Sequence, residues 1–491
     1  MPLADRRIAL LATAATIVAL AGSPARATTE TTVDLTPRVA PNELAEVTLE
    51  LEVGGTMRVP KDRGGSAETD ELPMSVAAKL VYDEHRVAPA TGTQAVRAVR
   101  WYKNAGATIK VDNDGKTPRL SDAHRLIVAE NPGGRLVIIS PAGLLERDEV
   151  DLLDVVGDSL AVDGLLPNKP VGDGATWDAD PDTMASLLAL DTVASCQVQS
   201  VLDKFNTDFA LVRLAGSVMG SVDGAATELE LRGVYLFDRK LHRVTRFNLA
   251  VKEVRSIGGA TPGLDSVAKL RMNVKPLSRS ERLSEATIAP LRQPSKQRLD
   301  LVRLHAANQS FRVIHDRRWF ITGQSRETTT LRRVDGPDVV AHCTISSLPP
   351  KSAVRQTTMG EFEHDIRRSL GESFGQLVMS REWLNAYQHH CLEVVVRGTT
   401  QGVPVEWHYY LVAPESGPRV SVTVTIQGEM VERLGNADRS LVNAIQLAVP
   451  RAPAAGPPHQ SPAKPLAPPP PAAAATPAAG FAPRPPAAPL G

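Results

Sequence analysis

Cysteine, aromatic residues and net charge are all scarce in this 491-residue sequence. Only Cys196, Cys343 and Cys391 are present, which is too few for a disulfide framework; at most one intrachain bridge can form, and one thiol is left over. Aromatics make up 4% of the chain, so its cores must be filled by Val, Leu, Ile and Ala. Fifty-five basic residues balance 55 acidic ones, which gives no electrostatic reason to expect nucleic acid or an anionic membrane surface as a partner. A P-loop, a C-x-x-C pair and a dinucleotide fingerprint are absent: in Gly172-Asp173-Gly174, Trp177 stands where the third glycine belongs, and no βαβ pattern follows. No cofactor is expected on these grounds.

What is present begins at the amino end. Arg6 and Arg7, an apolar stretch from Ile8 to Gly22, and Ala25-Arg26-Ala27 have the three parts of a cleavable secretory leader over residues 1–27. The apolar run falls short of the ~20 residues a membrane span needs, and no later run is longer. Cleavage removes Arg6, Arg7, Arg26 and Asp5, leaving 52 basic residues against 54 acidic ones. The expectation is therefore a periplasmic or secreted protein with no transmembrane segment after processing. A polar segment, 28–41, follows. At the other end, residues 450–491 are rich in Pro and Ala and contain no Asp or Glu, so a disordered or polyproline-like tail is expected, able to reach about 130 Å at ~3.1 Å per residue.

The length allows roughly two to four domains, and the pattern gives two. Residues 42–274 alternate with a period of two. Val47, Leu49, Leu51 and Val53 share one face. Strand-like runs recur at Leu136–Ser140, Phe209–Met219, Ala226–Phe237 and Leu241–Val254. Short helices are expected near Asp148–Val156 and Asp182–Leu190. Residues 275–296, polar and interrupted by proline, read as a linker. Residues 297–449 read as α+β. Strands are expected at Phe311–His315, from Trp319 and over Val339–Ser346. Met359, Phe362, Ile366 and Leu370 line one helical face. A meander runs through Leu392–Val396, Val405–Leu411 and Val420–Ile426, with turns at Thr399–Gly402 and Pro414–Pro418. A closing helix over Asp438–Leu447 has Asn436 or Asp438 as its N-cap. The fold class is α+β, with a mainly antiparallel β module in front of an α/β module.

The second region, through "FRVIHDRRWF", "VVAHCTISS", "FEHDIRRSLGESFG", "WHYYLVA" and "LVNAIQL", resembles the PsbP-like family of α/β/α sandwiches. That resemblance implies an antiparallel sheet and an accessory or binding role; no family binding residue carries over. The first region, through "GLLPNKPVGDGATW", resembles a group of exported bacterial β-proteins whose usual form is closer to V-x-V-G-D-x-W. It implies a curved sheet similar to the half-barrels that carry lipoproteins across the periplasm.

Several residues invite a chemical reading. Gly371-Glu372-Ser373-Phe374-Gly375 matches the G-x-S-x-G nucleophile elbow, yet a helix rather than a strand precedes Ser373, and the glycines fit a helix stop. His389, His390, Cys391 and His408 are too far apart for a zinc site if His408 pairs near Val394. Asp112-Asn113-Asp114-Gly115 would put Lys110 and Ser121 at the ends of a calcium loop, where both are wrong, so a turn is expected. Cys343 and Cys391 both lie in strands; either they bridge or they serve as two small buried hydrophobes. Trp177, Trp319, Trp383 and Trp407 are read as core anchors. No catalytic, cofactor or metal residue is assigned. The preferred function is an exported, non-enzymatic binding or accessory protein with a partner in the envelope or periplasm. The alternatives are a carrier of apolar ligands on the concave face of the first sheet, and a hydrolase using Ser373.

Overall fold

The computed structural model describes residues 31–40, 43–61, 69–88, 97–131, 135–293, 301–336, 338–351, 357–415 and 417–448. The expected leader (1–27) and Pro/Ala-rich tail (450–491) lie outside them. All the described residues belong to one compact unit ending at Ala448.

The first region supplies strands β1 (Thr32–Asp34), β2 (Leu44–Pro60), β3 (Thr69–Arg86), β4 (Arg97–Val111), β5 (Asp114–Lys116), β6 (Leu126–Glu130), β7 (Val137–Ile139), β8 (Pro170–Gly172) and β9 (Thr176–Asp178). After them come β10 (Thr192–Phe205), β11 (Phe209–Val222), β12 (Ala225–Asp238), β13 (Arg243–Arg255) and β14 (Gly263–Pro276). Twelve of these form one antiparallel sheet in the order β7-β6-β4-β3-β2-β14-β13-β12-β11-β10-β9, with β5 paired to β4. The alternation that marked the strands explains the sheet's two faces. Val47, Leu49, Leu80, Leu231, Phe247, Leu249, Leu270 and Met272 are buried on one side, while the residues between them on the other side are polar. Where Asp223 and Gly224 both take positive φ (48° and 76°), the β11–β12 connection is a two-residue loop, the turn whose twist suits a hairpin.

Strands β7 and β9 are the two edges of this sheet, and the chain between them crosses its apolar face. This strap carries α1 (Arg147–Leu153) and α2 (Ser159–Val162); α3 (Pro181–Leu188) follows β9. Leu152, Leu153, Leu160, Leu165 and Leu187 are all buried in one core with the sheet, each contributing roughly 2 kcal/mol of apolar transfer. Gly157, at φ 87°, lets the strap lie against the sheet: a Cβ there would sit 2.1 Å from Leu270. The expected polar segment 28–41 is in part structural. Strand β1 pairs with β8 on the strap, and Val33 and Leu35 are buried. The expected linker is likewise only partly a linker. Strand β14 runs to Pro276, and Leu283 just before α4 (Glu285–Ile288) and Ile288 within it pack against Val99.

The second region holds β15 (Leu301–His305), β16 (Phe311–Asp316), β17 (Trp319–Gln324), β18 (Thr328–Asp335), β19 (Asp338–Lys351), α5 (Met359–Leu370) and β20 (Phe374–Leu384). It ends with β21 (His390–Thr400), β22 (Val403–Ala413), β23 (Gly417–Gln427), α6 (Val431–Leu434), α7 (Ala437–Asn443) and β24 (Ile445–Leu447). Seven strands form an antiparallel sheet in the order β17-β18-β19-β23-β22-β21-β20. Helix α5 lays Ile366 against Val394, Val396, Val405 and Trp407 on one face. The other face meets α6, α7 and the small sheet β15-β16-β24, through Leu434, Leu441, Phe311 and Ile445. The closing helix is shorter than the sequence suggests. It stops at Asn443, and Ile445–Leu447 pairs instead with Phe311–Val313.

The chain is thus dominated by antiparallel, open β-sheets. Among the described residues no helix is long and apolar enough to cross a membrane.

Candidate functional site

At the end of the large sheet, the alternation of β3 carries charge onto the core face. Leu80 and Tyr82 are followed on that face by Glu84 and Arg86, which are 0% and 1% exposed. Arg100 of β4 and Arg243 of β13 join them. From the strap come Asp158, Ser159 and Asp163, and from the segment before β2 comes Glu43. The Arg100 guanidinium donates to both Asp158 oxygens (2.7 and 2.8 Å) and to Glu84 Oε2 (3.1 Å). Arg86 Nη2 donates to Asp163 (2.5 Å). Arg243 donates to Glu43 (2.5 Å) and Glu84 Oε1 (3.3 Å). Ser159 donates to Glu84 and stands 3.1 Å from the Tyr82 hydroxyl. Burial alone would raise the Glu84 carboxyl, but Arg100, Arg243 and Arg86 outweigh it and hold it below the usual range. Removing charges from water is costly unless each is met, so this network fixes where the strap sits more than it adds stability.

The network is not fully closed. Arg243 Nε, Arg86 Nε and Arg86 Nη1 are buried and have no hydrogen-bond partner among the described residues, although Arg86 Nη1 stands 3.5 Å from Glu43. Arg243 and Glu43 form part of the wall of a cleft of about 360 Å³. Its other walls come from Arg38, Val39, Ala40, Leu44 and Ala45 before and in β2, from the β12–β13 turn at Lys240, Leu241 and His242, and from Val274 and Pro276 at the end of β14. Mostly apolar walls that also carry the Arg38 and Lys240 cations suit an apolar ligand that carries a hydrogen-bond acceptor. None of the network residues was expected from the sequence. The readable signal was the run Tyr82-Asp83-Glu84-His85-Arg86, in which the inward alternation of a strand turns from apolar to charged.

The second region holds a separate buried chain of polar groups. His408 on β22 lies between Asp438 Oδ2 of α7 (2.5 Å from Nδ1) and Glu406 Oε1 (2.8 Å from Nε2). With a carboxylate at each nitrogen both must carry hydrogen. Asp438 and Glu406 accordingly raise the imidazole above its usual value even though burial alone would lower it. The Tyr410 hydroxyl donates to Asp438 (2.6 Å) and lies 3.2 Å from Glu393, which also receives Arg439 (2.8 Å) and Arg381. An imidazole with both nitrogens committed to donation cannot act as a general base.

The residues singled out in the sequence do not converge. His408 pairs with Val395, one residue beyond the expected Val394. His389 accepts from Leu447 N at 3.1 Å and His390 meets Glu382 at 3.1 Å, so each faces a different partner. Among the described residues no group of His, Cys, Asp and Glu could hold a metal ion. Cys343 and Cys391 are free, buried thiols on β19 and β21. Two strands separate them, about 14 Å at ~4.8 Å per step, beyond the reach of a disulfide. Cys196 is free as well.

Ser373 lies in a 3₁₀ turn with α5 before it and β20 after it, the reverse of the strand–turn–helix an elbow needs. Gly371, at φ 51°, ends α5. Asp112–Gly115 forms the β4–β5 turn, with Asp112 at φ 50°. Trp319 and Trp407 are buried core residues, whereas Trp177 and Trp383 are half-buried; Trp177 donates to Leu165 O at 2.8 Å.

No protein-family model matches this chain, and no curated protein matches it. Among solved structures, a protein of Bacteroides thetaiotaomicron VPI-5482 aligns at 8% identity and a TM-score of 0.23, covering 30% of this chain and 48% of that one. Lipovitellin aligns at 8% identity and a TM-score of 0.27, over 50% of this chain and 26% of that one. The chain therefore spans less than half the length of either. A Rh. blastica porin aligns at 11% identity with a TM-score of 0.12, over 77% of this chain and 99% of that one. Superpositions this loose assign no fold and no function.

Proposed function

We propose that the chain is an exported, non-enzymatic binding protein of the cell envelope or periplasm, and that the cleft at the end of the large sheet takes an apolar ligand bearing a hydrogen-bond acceptor. The observation that carries this reading is a cleft of about 360 Å³ with mostly apolar walls, to whose lining Arg38, Lys240, His242 and Arg243 bring polar side chains. An acceptor on the ligand meets one of these cations, which an apolar molecule without one cannot do. The carrier reading first placed the ligand on the concave face of the sheet. The strap's own leucines occupy that face, so the end cleft is the better seat. The leader-like segment at 1–27 supports an extracytoplasmic location. The resemblance of the second region's sequence to the PsbP-like family implies an accessory role.

The test is native mass spectrometry of the full chain purified from an envelope fraction, with lipid extraction and N-terminal sequencing. The expected result is a processed chain carrying a small apolar molecule, lost in Leu241→Glu. A chain that begins at Met1, or one whose bound mass survives Leu241→Glu, overturns the reading.

A further inference from the structure

Positive and negative charges balance over the whole chain, but the fold does not spread them evenly. On the outer face of the large sheet, turned away from the strap, β14 presents Lys275, Asn273, Arg271 and Lys269. Beside it β13 presents Arg246, Asn248 and Lys252, and all seven side chains are exposed. Alternation puts them on one face, and the register sets Arg246 opposite Asn273 and Arg271 opposite Asn248. The file Lys275, Arg246, Arg271, Lys269, Lys252 therefore advances in steps of about 7–8 Å, the separation of same-face and diagonal neighbours in a sheet. Among the described residues none of the five closes an ion pair. Nearby carboxylates are already engaged: Lys103 holds Glu46 and Lys79 holds Glu50, each at 2.7 Å. Glu52 and Glu230, opposite Lys269 and Lys252, do not close on them.

Like charges this near repel, and an anion from outside relieves the repulsion. Three features choose the anion. The band is narrow: Glu46, Glu50 and Glu52 flank it on β2, and Asp265 closes the end beyond Lys252. An anionic plane such as a bilayer would meet those carboxylates along with the cations, whereas a single chain laid along β13 and β14 would not. Asn248 and Asn273 stand among the cations, and each amide can both donate and accept, which suits a chain rich in hydroxyl groups. The outward positions of β13 and β14 hold no aromatic side chain on which a nucleobase could stack.

We propose that the outer face of β13 and β14 binds an acidic polysaccharide. It is a single extended chain whose carboxylates lie against Arg246, Arg271, Lys269 and Lys252 and whose hydroxyls meet Asn248 and Asn273. The surface does not depend on the apolar cleft at the end of the large sheet.

Biolayer interferometry of the full chain on immobilised polygalacturonate tests this, with dextran, oligo(dT) and vesicles of phosphatidylcholine and phosphatidylglycerol in equal parts as separate arms. Polygalacturonate binds, dextran does not, and oligo(dT) and the vesicles bind more weakly. Raising salt from about 50 to about 200 mM weakens the complex about tenfold or more, because several charge contacts give back their counter-ions. Arg271→Gln weakens it about threefold or more, the scale of one exposed charge contact. Arg326→Gln removes the same charge from an exposed turn of the second region and leaves binding unchanged. Both variants keep the wild-type circular dichroism melt, since both side chains are exposed. The proposal is overturned by no binding of polygalacturonate at about 50 mM salt, or by dextran, oligo(dT) or the vesicles binding as tightly. A loss in Arg326→Gln equal to that in Arg271→Gln overturns it as well.

Discussion

The imidazole of His408 is held at 2.5 Å from Asp438, thirty residues further along the chain, while its other nitrogen meets Glu406 two residues before it. Strand β22 is thereby pinned to helix α7 through a charge, beside the apolar core that holds Val412, Val424 and Leu441. Replacing His408 with Ala leaves two buried carboxylates facing each other, and a loss of about 3–5 kcal/mol is expected in urea unfolding. A loss under 1 kcal/mol would show that the pair is solvated.

The same residue sets a pH dependence. Because His408 is raised in the folded chain, its contribution is complete below the ordinary imidazole value near 6.5 and fades as pH climbs through the folded value. Asp438 and Glu406 are lowered, against the opposing effect of burial, so their contribution is complete above the ordinary carboxylate range and fades as pH falls through their folded values. Stability should therefore be greatest on the mildly acidic side of neutrality. In His408→Gln the fall on the alkaline side should flatten. A melting profile unchanged by the substitution would rule this out.

Arg100 holds Asp158 and Glu84 together, and with them the strap against the sheet. Arg100→Leu should cost about 3–5 kcal/mol, more than Lys79→Ala, which removes an exposed pair worth at most about 1 kcal/mol. Chemical denaturation of the two variants side by side measures the difference.

Gly157→Ala should destabilise by about 2 kcal/mol or more, because its Cβ would overlap Leu270 and its φ of 87° disfavours any side chain. Gly174→Ala, also at positive φ but with open space around it, should cost less.

Thiol titration should find the native protein slow to react. Burial pushes Cys391 up to about 12 and Cys343 higher still, and it raises Cys196 to a lesser extent. Cys196, half-buried, should react first, and three thiols should appear on unfolding in denaturant under non-reducing conditions. Finding only one would mean that Cys343 and Cys391 had bridged after all.

Much of the sheet structure was legible because alternation is a local pattern. Val47 to Val53 and Val420 to Ile426 announce buried faces by themselves, and α5 is readable from four residues at helical spacing. The closing helix was overextended because Ile445 and Leu447 fit an apolar helical face as well as a strand, and only Phe311 and Val313, far upstream, decide between them. The buried charges were illegible for a similar reason. Nothing near Arg100 in sequence points to Asp158, and nothing near His408 points to Asp438. Charged residues read as solvated until the fold brings their partners to them, and the end cleft is lined by side chains from segments that meet only after folding.

The strap that joins β7 to β9 has a mechanical consequence. Both rims of the large sheet are fastened to one length of backbone, as a bow's tips are to its string. Because the strap's leucines and Asp158 also fasten that backbone to the face between the rims, a single cut between residues 140 and 175 would leave each half of it still seated on the sheet.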